Sequence, residues 1–143
     1  MTIASILRNK GSDIVTVEAG QPLPQVARTL VRHRIGAVLV RGGDGPPLGI
    51  LSERDIVRLF AEDEVTVDTL TAADAMTKIL HTVTPETPII AALELMTDRR
   101  VRHLPVLEGE RVVGIVSIGD LVKARIDAAV GEAEALKEYV AAG

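Results

Sequence analysis

The second half of this chain repeats the first. With Thr16-Val17 placed on Thr82-Val83, the matches continue at Pro22/Pro88, Arg34/Arg100 and Val40/Val106. After a one-residue deletion in the second copy they resume at Gly49-Ile50/Gly114-Ile115, Ser52/Ser117, Asp55/Asp120 and Val57/Val122. Chance produces scattered matches of Val or Ala, but it is a poor explanation for a glycine, a serine and an aspartate aligned within one short segment. We therefore interpret the chain as a duplication in which both halves share one fold.

Each copy predicts two helices. The apolar residues recur at helical spacing over Leu23–His33 and over residues 85–99, and Gly36 is the expected stop of the first of these helices. A second helix is predicted at residues 53–61. Its counterpart begins near Ile118 and extends, with interruptions, towards Ala141, and Gly131 is expected to break or bend it.

Short apolar strands lie between these helices. We predict extended segments at residues 14–17 and 82–83, followed by strands at 37–40, 48–51, 104–107 and 111–116. Because the strands are almost continuously apolar, both faces of each sheet should be buried, which one copy alone cannot achieve. The fold class is therefore α/β (α+β), and we expect the two copies to pack on each other as one intertwined domain.

Composition excludes several classes of function. The chain has no cysteine, so it has no disulfide, thiolate zinc site or thiol nucleophile, and an intracellular, cytoplasmic location is expected. Its net charge is −4 and its two aromatic residues are Phe60 and Tyr139, which argues against a nucleic-acid partner. The longest uncharged run, residues 19–27, is far shorter than the roughly 20 apolar residues of a membrane span. The first residues lack a signal-peptide pattern, so we expect neither export nor a membrane partner.

The chemistry is expected at the repeated Gly-x-x-Ser-x-x-Asp segments, in which the glycine at the start of each strand allows a ligand to approach the backbone closely. Ser52 with Asp55, and Ser117 with Asp120, can cap the helices that follow. The alternative is a ligand site, since free amides at a helix N-terminus attract phosphate and an aspartate accepts the two hydroxyls of a cis-diol. Phosphate plus diol is the signature of a ribonucleotide, and both interpretations remain open from spacing alone.

With these motifs the sequence resembles a tandem pair of CBS domains, also called a Bateman module. It is similar to small stand-alone bacterial proteins of this kind, which carry Ser-Glu-Arg-Asp-Ile in the first copy. Their second copy resembles Arg-His-Leu-Pro-Val at residues 102–106 and the segment at 112–123. The resemblance covers roughly residues 3–126. It implies two β-α-β-β-α repeats about a pseudo-twofold axis, an extended C-terminal helix, and clefts between the repeats that bind adenosyl ligands.

The resemblance also implies a set of nucleotide-binding residues. These are Thr16, Val17, Gly36, Ala37, Ser52, Glu53, Arg54, Asp55, Thr82, Val83, Arg102, His103, Ser117 and Asp120. The aspartates are expected to hold ribose, the serines the ribose or phosphate, and the extended segments the adenine edge. Since Arg54 comes from one copy and Arg102 and His103 from the other, we predict one phosphate locus lined by both copies. A solvated basic cluster at a helix end is the alternative for Arg102 and His103.

The expected function is a non-catalytic sensor that binds AMP, ADP, ATP or NAD as a regulatory ligand and acts in energy sensing or signal transduction. The alternatives are a nucleotide hydrolase, for which no nucleophile or metal cluster is evident, a ligand-free interaction module, or an S-adenosylmethionine binder. A homodimer and an unknown regulated protein are the expected partners. No catalytic residue, catalytic cofactor or metal site is predicted.

The predicted boundaries are repeat 1 with an N-terminal arm at 1–61, a linker at 62–75, repeat 2 at 76–126 and a helical tail at 127–143. Lys10-Gly11 is interpreted as a flexible basic arm rather than a phosphate contact. Met76-Thr77 is assigned to linker packing or to a cleft wall, and the acidic residues 62–68 to a solvated link. His33 and His81 are given structural or surface roles. In the tail, apolar residues from Ile126 to Val140 share one helix face.

Overall fold

The chain forms two compact units that interleave along the sequence. A computed structural model describes residues 1–11, 14–62, 67–79 and 81–143. One unit comprises Met1–Ser12 with Thr82–Gly143, and the other comprises Asp13–His81. We call them unit B, which contains repeat 2, and unit A, which contains repeat 1. The acidic link at residues 62–68 falls mostly outside the described residues.

Unit A is a four-stranded sheet with helices. Its elements are β1 (Thr16–Glu18), α2 (Leu23–His33), β2 (Ala37–Arg41), β3 (Gly49–Ser52), α3 (Glu53–Glu62), a 3₁₀ turn (Val67–Thr69), α4 (Ala72–Ala75) and β4 (Thr77–Lys78). The strand order is β1-β2-β3-β4, with β1 parallel to β2 and the other pairs antiparallel. All residues from Ala37 to Val40 are buried, as expected for a strand covered on both faces.

Unit B contains the first helix of the chain, the helix and strands of the second copy, and a long terminal helix. These are α1 (Ile3–Lys10), α5 (Ile89–Arg99), β5 (His103–Glu108), β6 (Arg111–Ser117) and α6 (Ile118–Ala142). β5 and β6 are antiparallel, and Val83 bridges Val106 in the parallel sense, as β1 does with β2. The predicted α/β class with an extended C-terminal helix is confirmed.

Three details of the predicted helices are wrong. Arg34 and Arg100, rather than Gly36, end the first helix of each copy, with φ of 55° and 54°. The helix predicted from Pro85 begins at Ile89, because Pro88 is extended and the Thr87 N–H closes a turn on the Thr84 carbonyl. Gly131 does not interrupt α6; it lies on an exposed face, where a helix tolerates glycine at a cost of about 1 kcal/mol.

The segment before each repeat packs in the unit of the other repeat. α1 precedes repeat 1, yet Ile3 and Ile6 are buried in the apolar core of unit B. The α4 segment precedes repeat 2, yet Ala72 and Ala75 are buried in the core of unit A. The N-terminal arm assigned to repeat 1 by sequence therefore packs with repeat 2, because its apolar face fills that core.

The backbone bonds of the two segments correspond one to one. The Ile3 N–H donates to the Thr87 carbonyl and the Ile89 N–H to the Met1 carbonyl, at 2.9 and 3.2 Å. In unit A the Ala72 N–H donates to the Gln21 carbonyl and the Leu23 N–H to the Leu70 carbonyl, both at 2.9 Å. The duplication thus includes these segments, and their exchange between units is reciprocal.

Candidate ligand site

A strand passes directly into a helix at each repeated motif. Ser52 ends β3 where α3 begins, and Ser117 ends β6 where α6 begins. Each serine is paired across the sheet with the first residue of the neighbouring strand, Ala37 in unit A and His103 in unit B. In each copy the strand pairing therefore brings the serine of the motif beside a second predicted site residue.

One further backbone bond closes each junction. The Glu53 N–H donates to the Gly36 carbonyl, and the Ile118 N–H donates to the Arg102 carbonyl, both at 2.9 Å. The first amide of each helix is thereby occupied. Gly36 and Arg102, which precede β2 and β5, therefore lie beside the N-termini of α3 and α6.

Both Ser-Asp pairs form helix caps. The Asp55 Oδ2 atom accepts from the Ser52 N–H at 2.9 Å and from the Ser52 hydroxyl at 3.0 Å. In unit B the Ser117 N–H donates to Asp120 Oδ2 at 2.8 Å, and the Asp120 N–H donates to Ser117 Oγ at 3.2 Å. Such caps stabilise a helix by about 1 kcal/mol. The capping interpretation therefore holds, and a ligand role depends on what else each carboxylate can accept.

The two carboxylates differ in this respect. Asp55 is buried, and its second oxygen, Oδ1, accepts from Arg58 Nη2 at 2.9 Å. Asp120 is only partly buried, and Lys10 Nζ lies 2.7 Å from Oδ2, the oxygen already used by the cap. Within the described part of the chain, the Asp120 Oδ1 atom accepts no hydrogen bond.

Lys10 influences the protonation of Asp120. Partial burial acts to raise the pKa of this carboxyl, but the bond and charge of Lys10 and the bonds from Ser117 outweigh burial and lower its pKa. Lys10 also donates to the Ile115 carbonyl at 3.0 Å. The interpretation of Lys10 as a flexible basic arm is wrong, because Lys10 ends α1 and is held by these two contacts.

The predicted role of the repeated glycines changes as well. A Cβ on Gly49 would lie 2.7 Å from the Thr77 carbonyl oxygen, and one on Gly114 would lie 2.6 Å from Leu7 Cδ2. Glycine at these positions therefore admits the exchanged segments, β4 in unit A and α1 in unit B. Met76 and Thr77 pack against Gly49, and packing was one of the two roles predicted for them.

The remaining predicted residues are spread over both units. Thr16 and Thr82 are exposed, while Val17 and Val83 are buried. The Val83 N–H donates to the Pro105 carbonyl at 3.1 Å, so it is not available to an adenine edge. Arg54 is exposed in unit A and Arg102 in unit B, and their shared phosphate locus remains a prediction.

Gly36 and Glu53 also line an open groove of about 420 Å³ in unit A. Its other walls are formed by Ala27, Leu30, Val31, Arg34, Ile35, Ile56 and Val57 of α2, α3 and the turn after α2. Apart from Arg34 and Glu53 the lining side chains are aliphatic. This groove suits an apolar group better than a nucleotide.

Two functional contacts were missed by sequence reasoning. Arg58 lies three residues after Asp55, a spacing at which helical side chains meet, so its ion pair was open to prediction. Lys10 and Asp120 are distant in sequence, and no local signal joins them.

His33 is exposed and His81 half-buried; among the described residues no cluster of His, Asp and Glu is arranged to hold a metal ion. No helix in the described ranges is both long and apolar enough to cross a membrane.

Comparison with known proteins identifies the repeat. The family model for the CBS domain matches residues 5–62 and again residues 72–127. The chain belongs to the CBS domain family. The resemblance stated from the sequence is confirmed, and pairs of CBS domains are generally regulatory modules.

Relatives and solved structures agree. The mitochondrial CBS domain-containing protein CBSX3 of Arabidopsis thaliana is 33% identical, over 99% of this chain and 73% of its own. The CBS-domain protein ATU1752 of Agrobacterium tumefaciens is 40% identical with a TM-score of 0.83, over 87% of this chain and 99% of its own.

One similar structure holds a nucleotide. The CBS domain protein PAE2072 of Pyrobaculum aerophilum, solved with AMP, is 26% identical with a TM-score of 0.74, over 84% of this chain and 89% of its own. The CBS domain pair of MJ0100, solved with 5′-methylthioadenosine and S-adenosyl-L-methionine, is 22% identical and shares the fold, with a TM-score of 0.78 over 90% of this chain and 98% of its own.

Proposed function

We propose that this CBS pair is a non-catalytic, cytoplasmic sensor that binds an adenine nucleotide and that the ribose is held by Asp120. AMP, ADP, ATP and NAD are the expected ligands, with S-adenosylmethionine as the alternative. The observation that carries the proposal is the position of Asp120: its cap is complete through Oδ2, and Oδ1 accepts no bond among the described residues. A carboxylate oxygen of this kind accepts a ribose hydroxyl in a charge-assisted bond.

Asp55 is a weaker candidate for the same role. Both of its oxygens already accept hydrogen bonds, and its side chain is buried. A ligand would have to displace Arg58, so the equivalent site in unit A is expected to bind more weakly. The relative with AMP supports an adenine nucleotide as the ligand class.

Thermal shift and calorimetry with AMP, ATP, NAD and S-adenosylmethionine test the proposal. A ligand at a hundredfold excess over its Kd stabilises the folded chain by about 2.7 kcal/mol, which raises the Tm by several degrees. No shift with any of the four would favour the ligand-free interaction module. Product analysis after incubation with ATP or NAD tests the alternative of a nucleotide hydrolase, because turnover would make the chain an enzyme.

Aspartate variants locate the site. Asp120→Asn should weaken binding about tenfold or more, the loss expected for a charge-assisted hydrogen bond, and Asp55→Asn should weaken it less. Asp74→Asn is the control at another capping aspartate, because Asp74 Oδ2 accepts from the Thr71 N–H at 2.9 Å as Asp120 Oδ2 accepts from the Ser117 N–H at 2.8 Å. If Asp74→Asn and Asp120→Asn weaken binding equally, Asp120 is only a cap.

A second prediction concerns the phosphate. If Arg54 contributes to the expected phosphate locus, Arg54→Ala should weaken AMP binding about tenfold or more, the effect of losing one charge-assisted contact. Adenosine binding should barely change, because adenosine has no phosphate. Equal losses for AMP and adenosine in calorimetry would place Arg54 elsewhere.

A further inference from the structure

The long helix α6 has its apolar residues on the outside. Leu121 and Ala124 face the core of unit B. Several larger aliphatic side chains of α6 lie elsewhere on the helix and are 44 to 68% exposed, at Val122, Ile126, Val130, Leu136 and Val140. From residue 129 onward every residue is exposed. A helical segment of this length is marginal in water without a packing partner.

These residues have the spacing of a coiled coil. Steps of three and four residues connect Val122, Ile126, Ala129, Ala133, Leu136 and Val140. We call this set the seam. In heptad terms Ile126, Ala133 and Val140 occupy a positions, and Val122, Ala129 and Leu136 occupy d positions. Leu121 and Ala124 fall at c and f positions, on the opposite side of the helix, so packing against unit B leaves the seam uncovered.

Charge and residue type decide what covers the seam. Between residues 126 and 142 the helix has four acidic side chains and one lysine, which disfavours an anionic lipid surface. Ile126 and Val140 are β-branched residues at a positions and Leu136 is a leucine at a d position, a combination that favours two parallel strands. In that arrangement Glu132, at a g position, faces Lys137 of the second copy at the following e position. Two such pairs form by symmetry.

We propose that α6 pairs in parallel, in register, with α6 of a second copy of this chain. The seam residues then lie at the dimer axis and the Glu132 and Lys137 side chains flank it. The pairing goes beyond the proposed ligand function and does not depend on it.

Cysteine cross-linking of the full chain tests the pairing directly, since the chain contains no cysteine of its own. Ala129→Cys and Leu136→Cys should each give a disulfide-linked dimer under mild oxidation, because identical d residues face each other only in a parallel, in-register pair. Glu134→Cys is the control at an exposed outer position and should give little dimer. Cross-linking at neither d position, at one alone, or equally at Glu134→Cys would overturn the proposal.

Charge reversal supplies a second readout. Glu132→Lys should weaken self-association severalfold in sedimentation equilibrium, because it places like charges opposite each other. The double variant Glu132→Lys with Lys137→Glu should restore association. All these positions are exposed, so folding is preserved and checked by circular dichroism. If the double variant associates no better than Glu132→Lys alone, the predicted pair does not form.

Discussion

Asp55 and Asp120 occupy equivalent positions, yet their neighbours give them different chemistry. Arg58 from the same helix neutralises Asp55 locally, whereas Lys10 reaches Asp120 from a helix at the other end of the chain. The repeated motif provides a helix cap in both copies. The cation beside the aspartate differs between the copies, because it comes from residues outside the motif. Since the cations beside Asp55 and Asp120 are not part of the motif, the spacing of the motif alone left both the cap and the ligand interpretations open.

Lys10 should make the stability of the chain depend on acid pH. Because the pKa of Asp120 is lowered on folding, its charged form contributes stability above its unfolded pKa of about 3.8, and this is lost as the pH falls through the lower folded pKa. Lys10→Met should cost about 0.5 to 1 kcal/mol at pH 7, a figure limited by the partial exposure of the pair.

Urea unfolding at pH 7 and at pH 3 or below measures this effect. The destabilisation by Lys10→Met should shrink at acid pH, where Asp120 becomes protonated. Lys78→Met serves as the control, because Lys78 is exposed and forms no ion pair with any described residue. A cost of Lys10→Met that is independent of pH would contradict the assigned ion pair.

At the level of secondary-structure elements, the periodicity of apolar residues predicted the helices and strands that depend on local sequence alone. The helix at Leu23–His33 agrees with its prediction to the residue, since its apolar stripe is regular and a proline precedes it. The strands differ from prediction by one or two residues at their ends. The helix end at Arg34 was missed because a left-handed arginine has no sequence signal comparable to that of glycine.

Prediction failed where distant segments meet. β4 was assigned to the boundary of repeat 2, but it completes the sheet of unit A, where it pairs with Gly49 and Ile50. The glycines of the repeated motif were interpreted as room for a ligand, although they admit Met76, Thr77 and Leu7. The candidate serines and aspartates could be named from sequence, and the Arg58 partner of Asp55 follows from helical spacing. The Lys10 partner of Asp120 comes from a distant segment and could not be predicted.

At the scale of the whole molecule, the reciprocal exchange predicts a long-range effect on stability. Ile3 is completely buried, so Ile3→Ala should destabilise the chain by about 2 to 5 kcal/mol. Protection against hydrogen exchange should be lost first in unit B. Hydrogen exchange should show weaker protection in α5, β5 and β6 than in α2 and β2, although Ile3 is closer in sequence to the latter.

Val31→Ala is the matched control for this prediction, because Val31 is exposed on α2 and its truncation should leave both units protected. Loss of protection spread evenly over α2, β2, α5 and β5 in Ile3→Ala would mean that the units do not open separately. Loss confined to α2 and β2 would contradict the assignment of α1 to unit B.

The exchange also sets an order for folding during synthesis. α1 leaves the ribosome before the residues that bury it, because the core around Ile3 and Ile6 is made of residues from Val83 to Leu121. Unit A can close once β4 has emerged, whereas α1 must wait until most of the chain has been made. Until then the apolar face of α1 has no core to pack against and stays exposed to solvent on the nascent chain.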